Sequence, residues 1–317
     1  MNASRPLLVV ALLLTGAIAV IGLVEPQRMA AWAARVVAEQ FTSRGWFIML
    51  VVSALLLTAI GLAVSRFGRI RLGADDERPE FGTVTWLAML FATGMGVGLL
   101  YYGAAEPITH FELFRQYGSD AQAAAAALQA TYFSWGVHAW SIYAMVGLVM
   151  AYFTFRRGTA MILSAPVTGV FGASGWPRYA GFAIDLLTIV AIAIGLAGTL
   201  ALGVFQVEAG VARLVGVDEA AALTLVVFVA ICGASLVPLL FDVGRGMALL
   251  SNTAMAICGA LLIWLEVAGR THYVMSAIVE GFGSYVAGAI PMGFAVFTFV
   301  DETLTQAVRT TRKTGTT

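Results

Sequence analysis

Seven apolar runs dominate this chain, at 7–24, 47–64, 84–105, 128–155, 179–204, 222–240 and 247–267. As a helix, a run of roughly 20 residues crosses about 30 Å of hydrocarbon. A bilayer core has no water to pair backbone N–H and C=O groups, so each run must satisfy them within itself, as a helix does. Composition agrees: 60% of the 317 residues are hydrophobic and 11% charged, against about 45–50% and 25% in soluble domains. The expected class is an all-α polytopic membrane protein with about seven transmembrane helices, whose first partner is the lipid bilayer.

The same residues exclude other classes. Eighteen basic and eighteen acidic residues cancel, and no basic tract sits in a soluble domain, so no nucleic-acid partner is expected. Cys232 and Cys258 lie inside apolar runs, which suits small buried hydrophobes rather than a disulfide or a metal site. HExxH, GxSxG, CxxC and Walker A patterns do not occur, so the chain is not read as an enzyme, and no cofactor is expected.

Arginines set the expected orientation. Arg66, Arg69, Arg71 and Arg78 follow the second run, Arg156, Arg157 and Arg178 the fourth, and Arg245 the sixth. Those loops are expected in the cytoplasm, with the N-terminus inside. The opposing loops carry Arg28, Arg35, Arg44, Arg115, Arg213 and Arg270, so the bias is modest. The first run follows Arg5 as in a signal peptide, but 18 apolar residues exceed the usual h-region and point to an uncleaved helix.

The third run interrupts itself. Gly94-Met95-Gly96-Val97-Gly98 lies mid-way along it, followed by Gly103-Ala104-Ala105-Glu106-Pro107. Each glycine costs a helix about 1 kcal/mol relative to Ala. Non-helical backbone at membrane depth is tolerated only where protein or a water-filled cavity surrounds it. The run therefore predicts a discontinuous helix lining a site near the bilayer midplane. GxGxG in this setting, with no preceding strand, is not a dinucleotide fingerprint. Pro107 is expected to stop or kink the helix, with Glu106 capping backbone or serving a gate.

The fourth run carries Trp135, His138, Trp140 and Tyr143. On one continuous helix the directions of Trp135, Trp140 and Tyr143 are about 0°, 140° and 80°, one side of the helix. Such rings attract a quaternary ammonium, which offers no hydrogen bond and is recognised by ring quadrupoles. An interfacial aromatic belt is the alternative. His138 points about 60° to the other side of Trp135. Inside a span it is a functional suspect; a neutral histidine bonded to a neighbouring helix is the plainer reading. Asp185 is read as favouring the N-terminus of its own helix, and Asp242 with Arg245 as a local ion pair in a turn.

These motifs resemble the betaine/choline/carnitine transporter family. The likeness continues through Ala151-Tyr152-Phe153 before Arg156-Arg157-Gly158, through Gly203 and Gln206, and through Gly244-Arg245-Gly246-Met247 with Leu250-Ser251-Asn252. It implies an ion-coupled secondary transporter of a quaternary-ammonium solute working by alternating access. Its fold would be two inverted five-helix repeats, leucine-transporter-like, preceded by two extra helices. The expected organisation is two N-terminal helices and a cytoplasmic loop at 1–80, and a first repeat at 81–270 with the broken helix at 94–98. An interfacial amphipathic helix at 271–291 and a short apolar stretch with a disordered polar tail at 292–317 follow.

By the same resemblance, Trp135, Trp140 and Tyr143 form part of an aromatic box, while Met95 with Gly94, Gly96 and Gly98 offers backbone to the substrate carboxylate. A coupling sodium ion would sit near Thr93 and the Met95 backbone. Gly98, where some proton-coupled choline members carry Asp, leans the reading toward a zwitterionic betaine-like solute. Ile192 and Leu196 stand where sodium-coupled members tend to carry threonine, with Thr188 and Thr199 nearby. The family implies homotrimers in a bacterial-type plasma membrane. Its members continue into further spans that complete the box, so residues 1–317 are expected to be incomplete and not to transport alone. A fragment, a shifted reading frame and one half of a split transporter are the three origins considered. The competing class is a non-transporting membrane fragment or partner subunit retaining a relic half-site.

Overall fold

The computed structural model describes residues 4–73, 75–94, 96–218, 220–236 and 243–295. Among these the chain is helical with no strand: α1 Ser4–Val24, α2 Pro26–Val64, α3 Thr83–Gly94, α4 Val97–Phe114, α5 Asp120–Ser134, α6 Val137–Ala151, α7 Ala165–Phe171, α8 Trp176–Val215, α9 Ala221–Leu236, α10 Val243–Ala268 and α11 Thr271–Gly293. A 3₁₀ turn at Arg66–Arg69 follows α2, and a π turn at Tyr152–Arg156 follows α6. Among the described residues six helical stretches are long and apolar enough to cross a membrane, namely α1, α2, α5 to the π turn taken as one (Asp120–Arg156), α8, α10 and α11, or seven if the bent pair α3–α4 forms one span.

Local chemistry sets the ends. Pro26 and Pro177 sit in the first turns of α2 and α8, where a missing N–H costs nothing. The Ser119 side chain accepts from the Gln122 backbone and Gln122 reciprocates, a capping box that starts the alanine-rich α5. α8 stops at Gly216, whose φ of 74° and ψ of 33° place it in the left-handed region that glycine enters freely.

Several boundaries differ from the sequence expectation. α2 is one helix of 39 residues rather than a span beginning at 47, because Gly45 is the sole breaker between Pro26 and Trp46 and a single glycine costs a helix only about 1 kcal/mol. α4 runs through Pro107 to Phe114 instead of ending there. It lies along α5 over most of its length, and that packing outweighs the one backbone bond the proline removes. The fourth run is two helices, broken at Trp135-Gly136. Asp185 lies well inside α8 and caps a neighbour: its carboxylate accepts from the Ser164 backbone at 3.0 Å and the Ser164 hydroxyl at 2.7 Å, at the start of α7. Asp242 and residues 296–317, which hold most of the short apolar stretch and the whole tail, lie outside the described residues.

Packing uses small residues. Ala11, Ala123, Ala127, Ala165, Ala212 and Ala289 are buried, while large aliphatic side chains on α1, α8, α9 and α10 face outward. That inversion suits a lipid surround, where helices associate by close backbone approach rather than by hiding oil from water. α5 lies between α4 and α11, α3 packs on α10, α2 on α6, and α1 on α8. Arg156 ties the π turn to the loop after α2, donating to the Arg71 carbonyl at 2.5 Å and the Asp75 carboxylate at 2.7 Å.

Candidate substrate site at two broken helices

Two interruptions face each other. The first lies between α3 and α4, whose axes meet at 65°. The second is Trp135-Gly136, where Gly136 turns extended with φ −89° and ψ −160° before α6 begins. Gly98 and Trp135 bring the two together: a methyl at Gly98 would touch the Trp135 ring edge at 3.8 Å. At Gly94 the fit is closer. A methyl there would sit 2.5 Å from Trp140 Cη2, so only glycine lets that indole lie on the backbone at the end of α3.

The rings form two groups. Trp140 has Tyr143 at 5.7 Å and Phe91 at 6.4 Å between ring centroids, while Trp135 has Tyr102 at 6.5 Å. Their polar edges are fixed: Trp135 Nε1 donates to Glu106 Oε2 at 3.0 Å, and Trp140 Nε1 donates to the Trp135 carbonyl at 3.1 Å. Both indole N–H groups are thereby satisfied within the protein. The helix break changes the sequence geometry. Trp135 does not share one continuous helix face with Trp140 and Tyr143; its carbonyl, turned out of the ladder at the break, holds the Trp140 ring instead.

Backbone supplies the complementary charge. α4 starts beside this aromatic set with Gly96 at its cap, which has no side chain to occupy the first N–H groups. The N-terminus of a half-helix carries partial positive charge and exposed donors, and the C-terminus of α3 presents carbonyls. α8 supports the junction, since Gly203 lets Val97, the first residue of α4, seat against it, with Val97 Cγ2 3.3 Å from where a methyl would stand. Met95 and the Thr93 side chain lie outside the described atoms.

The other sequence candidates separate from this cluster. His138 is buried at 4% exposure, with its ring 4.7 Å from that of Phe133 and its Nε2 against Gly293 of α11. It lies in the α6–α11–α2 contact, where Ser53 donates to the Gly293 carbonyl at 2.8 Å. Ile192 and Leu196 are mostly exposed on the outside of α8, and the Thr188 and Thr199 hydroxyls donate back to Ile184 and Gly195 of their own helix.

Sequence reasoning missed Phe91, Tyr102 and Tyr285. The Tyr285 hydroxyl of α11 accepts from the Val137 backbone at 2.7 Å, directly at the second break. A signal existed: Gly281, Tyr285, Ala289 and Gly293 recur every four residues, and all four are buried along α11. Glu208 was missed as well; it is buried in α8 and accepts from the Thr224 hydroxyl of α9 at 2.7 Å.

An all-helical membrane protein with a glycine-rich break set against clustered tryptophans is the class defined by this fold and site. The betaine/carnitine/choline family transporter model matches residues 6–311, and the chain belongs to that family. It is 38% identical over 255 residues to the glycine betaine transporter OpuD of Bacillus subtilis, covering 80% of this chain and 49% of that protein. A glycine betaine/proline/choline/ectoine transporter of Vibrio parahaemolyticus is 35% identical over 263 residues, covering 81% and 46%. An ectoine/hydroxyectoine transporter of Virgibacillus pantothenticus is 30% identical over 307 residues, covering 95% and 60%. The chain thus spans about half the length of the curated relatives it matches.

Proposed function

We propose that this chain supplies one wall of the binding site of an ion-coupled transporter for a compatible solute with a quaternary ammonium, glycine betaine or a related choline or carnitine type. The contact of Trp140 with Gly94 carries the reading, because it sets an indole against the end of α3, at the break in the helix. A trimethylammonium group at Trp140, Tyr143 and Trp135 would gain about 0.5–2 kcal/mol per well-placed ring. Its carboxylate would lie toward the first turn of α4 at Gly96 and Gly98. Sodium, as co-substrate, would take carbonyl oxygens near Thr93 and Met95.

Alternating access moves one repeat against another about such a midplane site. The arginine-rich loops at 66–82 and 152–178 lie on the cytoplasmic side of a plasma membrane in this reading, with the N-terminus inside. The family resemblance supports a homotrimer.

Equilibrium dialysis of radiolabelled glycine betaine against the purified 317-residue chain, with and without sodium, tests the reading. Saturable binding that Trp140→Leu abolishes and excess unlabelled glycine does not displace is the expected result. Absence of saturable binding would overturn it in favour of a relic half-site in a non-transporting membrane protein.

A further inference from the structure

α11 touches both sides of the second break. On the α5 side, Gln129 Nε2 donates to the Ser284 carbonyl at 2.9 Å, and the Tyr132 ring lies where a side chain at Gly281 would begin, 2.7 Å from that position. On the α6 side, the Val137 N–H donates to the Tyr285 hydroxyl. Tyr285 is itself 7% exposed, and its hydroxyl and the Tyr132 carbonyl lie so close to Gly136 that no Cβ fits there.

Val137 is the first residue of α6, and its N–H belongs to the set that a helix leaves unpaired at its start. The hydroxyl of another helix completes it. Gly136, which directly precedes it, has no side chain with which to do so. A bond to α11 therefore holds the first turn of α6, and α6 carries Trp140 and Tyr143 one and two turns further on.

We propose that α11 acts as a splint across the α5–α6 break and that Tyr285 is the positioning residue that aims Trp140 at Gly94. Displacement of α11 releases the Val137 N–H and turns the aromatic wall, so occupancy of the wall and the seating of α11 are linked. The proposal rests on the reading of Trp135, Trp140 and Tyr143 as the ammonium site for its consequence in binding, but not for the splint itself.

Two measurements on the purified chain separate the two. Hydrogen exchange of the 135–141 segment, without ligand, reports the splint. Tyr285→Phe, which removes one oxygen and keeps the ring, is expected to speed exchange there, while Tyr273→Phe, on the exposed start of α11, leaves it unchanged. The second readout is the ratio of affinities for glycine betaine and N-methylglycine. Loss of one hydrogen bond at the break is expected to reduce that preference about five-fold, because a displaced Trp140 no longer fits three methyl groups.

Unchanged exchange in Tyr285→Phe overturns the splint. Faster exchange with both ligands weakened equally overturns the positioning role and leaves a structural one. If the wild-type chain binds neither ligand, the functional reading fails while exchange still decides the splint. Gly281→Ala, which drives the Tyr132 ring away from α11, provides the same two readouts should Tyr285→Phe not be recovered folded.

Discussion

Glu106 shows what a single side chain does at this site. Its carboxyl oxygen accepts from Trp135 Nε1, so the indole is tied to α4 by its N–H. Glu106→Gln keeps an acceptor at nearly the same place, whereas Glu106→Ala removes it and costs about 1 kcal/mol of ordering at Trp135. Betaine titration is expected to give near-native affinity for the first and about five-fold weaker binding for the second. Gly94 is stricter, because the methyl of Gly94→Ala meets the Trp140 ring at 2.5 Å. Overpacking of this kind costs about 1–3 kcal/mol, and dialysis is expected to show loss of binding larger than that of Glu106→Ala. Asp185 belongs to a different task. Asp185→Ala removes both bonds to Ser164, and about 1–2 kcal/mol of stability should be lost with α7. A lower melting temperature with unchanged betaine affinity is the expected signature.

At the scale of elements, breaks and their partners matter more than helix lengths. The α3–α4 break was legible, because three glycines at alternate positions argue against a continuous helix wherever they fall. The break at Trp135-Gly136 was not: a lone glycine in an apolar run is tolerated in many helices, and only the Tyr285 hydroxyl and the crowded Tyr132 carbonyl make it an interruption. Pro107 misled in the opposite sense, since packing of α4 on α5 carries the helix past it. Pro107→Ala restores the N–H facing the Gly103 carbonyl and should stiffen the last turns of α4. Slower hydrogen exchange at 108–114, without change in ligand affinity, is expected.

For the whole molecule, the arginine bias and one contact point the same way. The loop after α2 and the π turn after α6 meet through Arg156, Arg71 and Asp75, so both lie on one face of the helix layer. By the positive-inside rule that face is expected in the cytoplasm. A cysteine at Asp76 should be labelled by a membrane-impermeant maleimide only from the cytoplasmic side, and one at Ser119 only from outside, in a background with Cys232 and Cys258 replaced. Labelling of both from one side would refute the orientation.

The apolar runs alone determined that this is a helical membrane protein, because hydrocarbon leaves backbone groups no other partners. Glycine spacing alone determined that one of its helices is broken, and the aromatic run picked out Trp135 and Trp140, which lie against that break. Only the tertiary structure decided how they gather. Which ring lies on which glycine, that Asp185 serves α7, that His138 belongs to the α11 contact, and that Tyr285 holds the start of α6 all depend on residues 21 to 240 positions apart. No local period encodes such contacts; they follow from which small faces let helices approach, and that is settled only when the helices pack.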